Sequence, residues 1–243
     1  MTLLEAVNMR RSRRKYLEAS IEPALEQKLQ NFAQEYSHKS QARIELVFNN
    51  GRAFNGLTKS YGLLSGVEHY AGLICKKGDV QAIERLGYYG ELFMLQAVSL
   101  GLGTCWVEGS FSRAACPFEI GDDEALVCTI TFGHCAEQEN LRERFIQGIT
   151  HRKSKKAEEM MHVEGEAPDW FMAGMRAVER APSAVNKQPV RFTYKDGVVC
   201  AGLENSESWL DLGIAKLHFE LGAGGGQWEF GDGAQYTHLR SVN

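Results

Sequence analysis

"LGLGTCWVEG", Leu100 to Gly109, follows one long apolar run, and "LGAGGGQWEF", Leu221 to Phe230, follows another. Each opens Leu-Gly, adds glycine, and reaches a tryptophan and an acid. Laid side by side, "YYGELFMLQAVSLGLGTCW" and "WLDLGIAKLHFELGAGGGQW" match with one extra residue before Trp228. In both, a predicted helix ends in Leu-Gly-x-Gly, with a strand or hairpin upstream and another helix before that. Amphipathic helices that end in glycine are common, so chance competes with duplication here. Duplicated halves pack about a pseudo-two-fold axis, as an isologous dimer does. We read one domain over residues 1–243, built from two halves of about 1–145 and 146–243.

Working outward, a short helix is predicted over Leu3 to Met9, running into the basic cluster "RRSRRKY". A second starts after Glu22, with Pro23 suited to its first turn. There Leu25, Leu29, Phe32 and Tyr36 recur on one helical face. "ARIELVF" reads as a strand, "YAGLICKK" as a buried one, and "NNGRAFNGLTKSYGLLSG" as a loop. The strongest helix runs from about Asp79 to Leu100, with Gly87 and Gly90 permitting close approach. "ALVCTITFGH" is apolar enough for a central strand. Between Glu137 and Glu166 the charged "THRKSKKAEEM" reads as a surface connector or helix joining the halves. Pro168 opens another helix. "VRFTY", a turn at Asp196-Gly197 and "VVCAGL" make a hairpin. A last helix carries Leu210, Ile214, Leu217 and Leu221, and the tail from Gly222 to Asn243 reads as partly extended over the surface.

Composition bounds the function. The 243 residues are 44% hydrophobic and 24% charged, ordinary for a globular protein with a sizeable core. A net charge of −4 argues against a general nucleic-acid binder, leaving "RRSRRKY" and "HRKSKK" as local basic patches. No apolar run reaches the roughly 20 residues that span a bilayer. Charge from Glu5 onward leaves no apolar core for a signal peptide. The six cysteines are scattered without a C-x-x-C pair, so a reducing cytoplasm is expected. His134 and Cys135 lack partners at metal-binding spacing, and no metal is expected. His69, His134 and His218 are read as structural.

Three stretches carry chemistry. In "RRSRRKY", Arg10 to Tyr16, arginines offer paired charge-assisted bonds to a phosphate and Ser12 adds a donor. The same cations would also simply offset the dipole of a helix end. In "APSAVNKQPVRF", Ala181 to Phe192, two prolines bracket a rigid turn presenting Ser183, Asn186 and Gln188. An ordinary helix-to-strand connection would look the same. In "LGLGTCWVEG", Gly101 and Gly103 let backbone approach a ligand. This is not a dinucleotide fingerprint, because it leaves a helix instead of opening one after a strand.

Together these motifs resemble the FMN-dependent nitroreductase family, specifically its tandem branch of two fused, degenerate halves that imitate the usual homodimer. The resemblance implies an α+β class, three-layer α/β/α fold and a monomer acting as a pseudo-dimer. One half would supply the Arg cluster and "TCWVEG", the other "PSAVNKQP". The second copy has Phe230 where the first has Gly109, and no Arg-Arg-Ser head. One complete FMN site per chain is therefore expected.

Carried over, Arg10 and Ser12 match phosphate ligands and Arg11 a ribityl or phosphate neighbour. Arg14 matches the cation beside flavin N1 and O2. Glu108 and Gly109 match the backbone that meets N5. Pro182, Ser183, Asn186 and Gln188 match the turn from the other half. Of the family's late Lys-x-Arg, Arg152 is retained with Thr150 in the lysine place, and Lys153 offers a substitute. The implied activity is hydride transfer from NAD(P)H through FMN to a planar nitroaromatic or quinone, without a catalytic side chain. Substrate choice would lie with the loop Arg52–Gly66 and the region Phe111–Phe118. A flavin-binding protein without turnover is the alternative.

Overall fold

The computed structural model describes residues 1–55, 64–136, 154–204 and 207–239. Helix α1 (Leu3–Met9) starts with a reciprocal cap. Thr2 Oγ1 accepts from Glu5 N at 3.2 Å, and Glu5 Oε2 accepts from Thr2 N at 2.8 Å. Those bonds from Thr2 hold the exposed Glu5 carboxyl below its ordinary range. Helix α2 (Pro23–Ser40) opens on proline and closes on Gln41, whose φ of 55° is left-handed. Helix α3 (Val80–Ser99) is capped by Asp79, which accepts from Ala82 N at 2.9 Å.

Strands β1 (Arg43–Val47), β2 (His69–Lys76), β3 (Gly103–Val107) and β4 (Glu124–Gly133) form an antiparallel sheet in the order β1-β2-β4-β3. Side chains alternate across it. Ala71, Leu73, Ile130 and Phe132 face α2 and α3, meeting Leu29, Tyr36, Leu86, Phe93 and Met94. Tyr70 and Ile74 point the other way, under Tyr16, Phe54 and Phe111. Each Leu or Phe fully buried in this way contributes roughly 1.5–3 kcal/mol.

The second sheet holds β5 (Met161–Glu164), β6 (Val190–Lys195), β7 (Val198–Leu203), β8 (Gly226–Trp228) and β9 (Ala234–His238), ordered β5-β6-β7-β9-β8. Only the β5–β6 pairing is parallel. Helices α4 (Asp169–Val178) and α5 (Trp209–Gly222) pack on one face, with Phe171, Met175 and Phe219 against Phe192, Trp228 and Tyr236. The β6–β7 turn carries Asp196 and Gly197 at φ 49° and 81°, the primed geometry that suits a hairpin.

The halves meet through α3 and α5, whose backbones touch. A Cβ at Gly87 would strike the Leu210 carbonyl oxygen, and one at Gly213 the Glu84 carbonyl oxygen. Helix α1 seals one side with Ala6 and Val7 against Leu95, Ala177 and Leu217.

The class is α+β, as expected. Helices α3 and α5 lie between the two sheets. Two expectations change. Within the charged connector, residues 154–164 hold a 3-10 turn (Ala157–Glu159) and β5. That strand alternates half-buried and exposed side chains, a pattern too short to stand out amid charge. The glycine-rich tail forms β8 and β9, where Trp228 and Tyr236 enter the core.

Candidate functional site

Between the halves lies a cleft of about 940 Å³. Its first wall begins where α1 ends. Arg10 caps that helix with an extended backbone, φ −55° and ψ 131°. The chain then runs alongside β3: Ser12 bridges Thr104, and Arg13 N donates to Thr104 O at 2.8 Å. Extended backbone alternates its side chains. Arg10, Ser12 and Arg14 line the cleft with Arg11 beside them, while Arg13 turns away to donate to Ala136 O at 2.9 Å. The Arg10 guanidinium donates to Arg180 O at 3.5 Å, but its buried Nε and Nη1 have no hydrogen-bond partner.

The floor is formed by β3 and the residues just beyond it. Cys105, Trp106, Glu108, Gly109 and Ser110 all line the cleft. Burial pushes the Cys105 thiol above its ordinary value, although Arg14 and Arg10 oppose the shift.

The second wall is the turn after α4. Pro182, Ser183 and Asn186 line the cleft. Ser183 Oγ accepts from Gln188 N at 2.8 Å, and Asn186 Nδ2 donates to Ser154 Oγ at 3.3 Å. Val185, Asn186 and Gln188 have φ of 45°, 53° and 46°. A β-branched residue such as Val185 rarely adopts that region, so the turn stores strain at the mouth of the cleft. Gln188 is not brought to the cleft. Its buried amide accepts from Lys155 N at 2.7 Å and donates to Glu179 O at 3.1 Å, which fixes the turn from behind.

Arg152, Thr150 and Lys153 lie outside the described residues, as does most of the loop expected to choose substrate. Phe111 and Phe118 pack on Tyr70 and its neighbours under the first sheet instead of opening onto the cleft. Sequence reasoning missed Asp211. It sits on the cleft wall with Oδ1 accepting from Ala184 N at 3.2 Å. Burial raises its carboxyl to about 6, a shift that the Ala184 amide opposes and Glu108 increases. An acid in a first helical turn ordinarily reads as a complement to the dipole, and nothing local marks its partner in a distant turn.

The cleft thus sets Arg10, Arg11 and Arg14 at one wall against a polar turn at the other, with acids Glu108, Glu207 and Asp211 between. An elongated ligand with an anionic end and a polar ring fits that layout. Among the described residues no cluster of His, Cys, Asp and Glu is arranged to hold a metal ion, and no helix is long and apolar enough to cross a membrane.

A structure from Thermotoga maritima described as a "putative nitroreductase" shares the fold. Its TM-score is 0.63 at 22% identity, covering 99% of this chain and 95% of that one. A nitroreductase with bound FMN from Bacteroides fragilis aligns at 16% identity over 58% of this chain and 92% of that one, with a TM-score of 0.44. A comparison with curated proteins returns no match. The model of the family described as "Putative TM nitroreductase" matches residues 2–223. By that match over nearly its whole length, the chain belongs to this nitroreductase family.

Proposed function

We propose that this protein is an FMN-dependent oxidoreductase that takes hydride from NADH or NADPH and reduces a small planar acceptor, a nitroaromatic or a quinone. One observation carries the reading. The cationic wall of the cleft ends in Arg10, whose buried Nη1 has no hydrogen-bond partner and whose Nε meets only the Glu91 carboxylate, at 3.8 Å. A buried cation with unmade hydrogen bonds is costly, and a phosphate is a group that satisfies it with charge-assisted bonds. A volume of about 940 Å³ also suits FMN with a second flat molecule over it.

FMN would supply the redox chemistry, accepting hydride from the nicotinamide and passing electrons to the acceptor. The chain's residues bind and orient. Arg10 and Ser12 would hold the phosphate, with Arg11 beside it. Arg14 would serve the N1–O2 edge, where positive charge favours an electron-rich ring. The backbone at Glu108 and Gly109 would serve the N5 edge. Pro182, Ser183 and Asn186 would meet the ring from the other half, while Gln188 keeps their turn in shape. The six free thiols, several of them buried, suit a reducing compartment such as the cytoplasm.

The test is direct. The purified protein should be yellow or turn yellow with FMN. Anaerobic NADH or NADPH should bleach it, and a quinone or nitro compound should restore the colour. A chain that takes up no FMN overturns the reading, and a yellow protein untouched by both nicotinamides is a flavin binder without turnover. The double variant R10A/S12A should lose FMN on gel filtration, its affinity falling by about two orders of magnitude for the lost charge-assisted bonds. Unchanged flavin content would refute the phosphate assignment.

A further inference from the structure

Glu91 lies in α3, behind the cleft, at zero exposure. Three donors surround it. Trp106 Nε1 donates to its Oε2 at 2.7 Å, His218 Nε2 meets its Oε1 at 2.9 Å, and Arg10 Nε stands 3.8 Å from the same oxygen. His218, also at zero exposure, turns its Nδ1 to Ala177 O at 3.1 Å. Both ring nitrogens therefore face oxygens, a carbonyl and a carboxylate. One carboxylate is thus linked, directly or through one neighbour, to each side of the cleft. It meets Arg10 directly and meets Glu108 and Gly109 through Trp106. Through His218 and the end of α4 it also reaches the turn at Pro182.

We propose that Glu91, buttressed by His218, is a positioning residue that aims the Arg10 guanidinium at the phosphate of the bound flavin. The inference rests on the FMN reading above. Packing alone does not need a carboxylate here, because a buried charge is tolerated only when paired. The carboxylate draws the Nε edge of the guanidinium towards it, at 3.8 Å, and leaves Nη1 for the ligand. His218 holds the carboxylate through Oε1 and Trp106 holds it through Oε2.

The sign of one substitution separates the alternatives. By field alone, Glu91→Gln removes a negative charge next to the phosphate and should tighten FMN binding. By positioning, it releases Arg10 and weakens binding. Titrations of FMN and of riboflavin, which lacks the phosphate, read both through quenching of flavin fluorescence. We expect E91Q to lose about tenfold in FMN affinity, the order of one charge-assisted bond, with riboflavin affinity unchanged within about twofold. H218Q should shift the ratio the same way, and the double variant should add little. E91D should restore part of the preference. Equal loss of both flavins means a structural role and overturns the proposal, as does tighter FMN binding. If E91Q does not fold, H218Q alone, at a residue that does not line the cleft, removes one partner of the same carboxylate and is read identically, so that an unchanged ratio there also overturns it. A wild-type protein that binds no flavin defeats the FMN reading itself. One that binds FMN while E91Q keeps the wild-type ratio defeats only the role of Glu91.

Discussion

At the scale of single residues, Asp211 has the clearest consequence. It is 8% exposed, and burial lifts its carboxyl from 3.8 to about 6. The folded protein therefore holds this proton where the unfolded chain has released it. Stability falls as pH rises between those two values and is flat above them. Asp211→Asn keeps an oxygen for the Ala184 amide and removes the charge. Above about pH 6.5, D211N should exceed the wild type by on the order of 2–3 kcal/mol, and the two should converge near pH 4. Urea unfolding of the flavin-free protein across that range measures the gap, and a gap independent of pH would sink the assignment. Which residues the sequence made visible depends on how local their signals are. Ser12 and Arg14 stand out because the cluster "RRSRRKY" that holds them is a local motif, and both line the cleft. The inward turn of Gln188 depends on Lys155 and the last carbonyls of α4, which no spacing within "PSAVNKQP" encodes.

Among elements, the crossing of α3 and α5 sets the distance between the cleft's walls. The sequence marks Gly87 as a place of close approach, yet its partner, the Leu210 carbonyl oxygen, is named only by the fold. Gly213→Ala should drive its methyl into the Glu84 carbonyl oxygen and destabilise the protein by about 3 kcal/mol, typical of overpacking against backbone. Gly87→Ala should act alike, and the double variant should fall short of the sum, since helices already forced apart clash less. Strictly additive unfolding energies would show that the two glycines do not share one contact. The long helices and central strands were legible because each repeats its apolar pattern over several turns or alternations. β5, β8 and β9 were not, being edge or near-edge strands of three to five residues with few buried side chains each.

For the whole molecule, the two glycine-rich passages have parallel beginnings and different ends. Each tryptophan bonds back to the helix before it, Trp106 to the Glu91 side chain and Trp228 Nε1 to Lys216 O at 2.9 Å. After Trp106 the chain opens onto the cleft with Glu108 and Gly109. After Trp228 it folds over a buried ammonium, as Lys216 Nζ donates to Glu229 O and Gly231 O at 3.0 Å each and pairs with Glu84. Burial lowers the Lys216 ammonium below its ordinary range while Glu84 opposes the shift. Phe230, ring to ring with Tyr88, closes what remains. A ligand there would have to displace a fully buried ion pair, whose disruption typically costs 3–5 kcal/mol before any contact is made. We therefore expect one FMN per chain, bound by a monomer of 27.1 kDa whose two halves stand in for two subunits. Light scattering on the eluting protein, with flavin absorbance read against peptide absorbance, measures mass and stoichiometry together. Two flavins per chain would mean that the second passage still binds. One flavin per dimer would mean that the cleft is completed by a partner, and either result would end the account of a single site built from unequal halves.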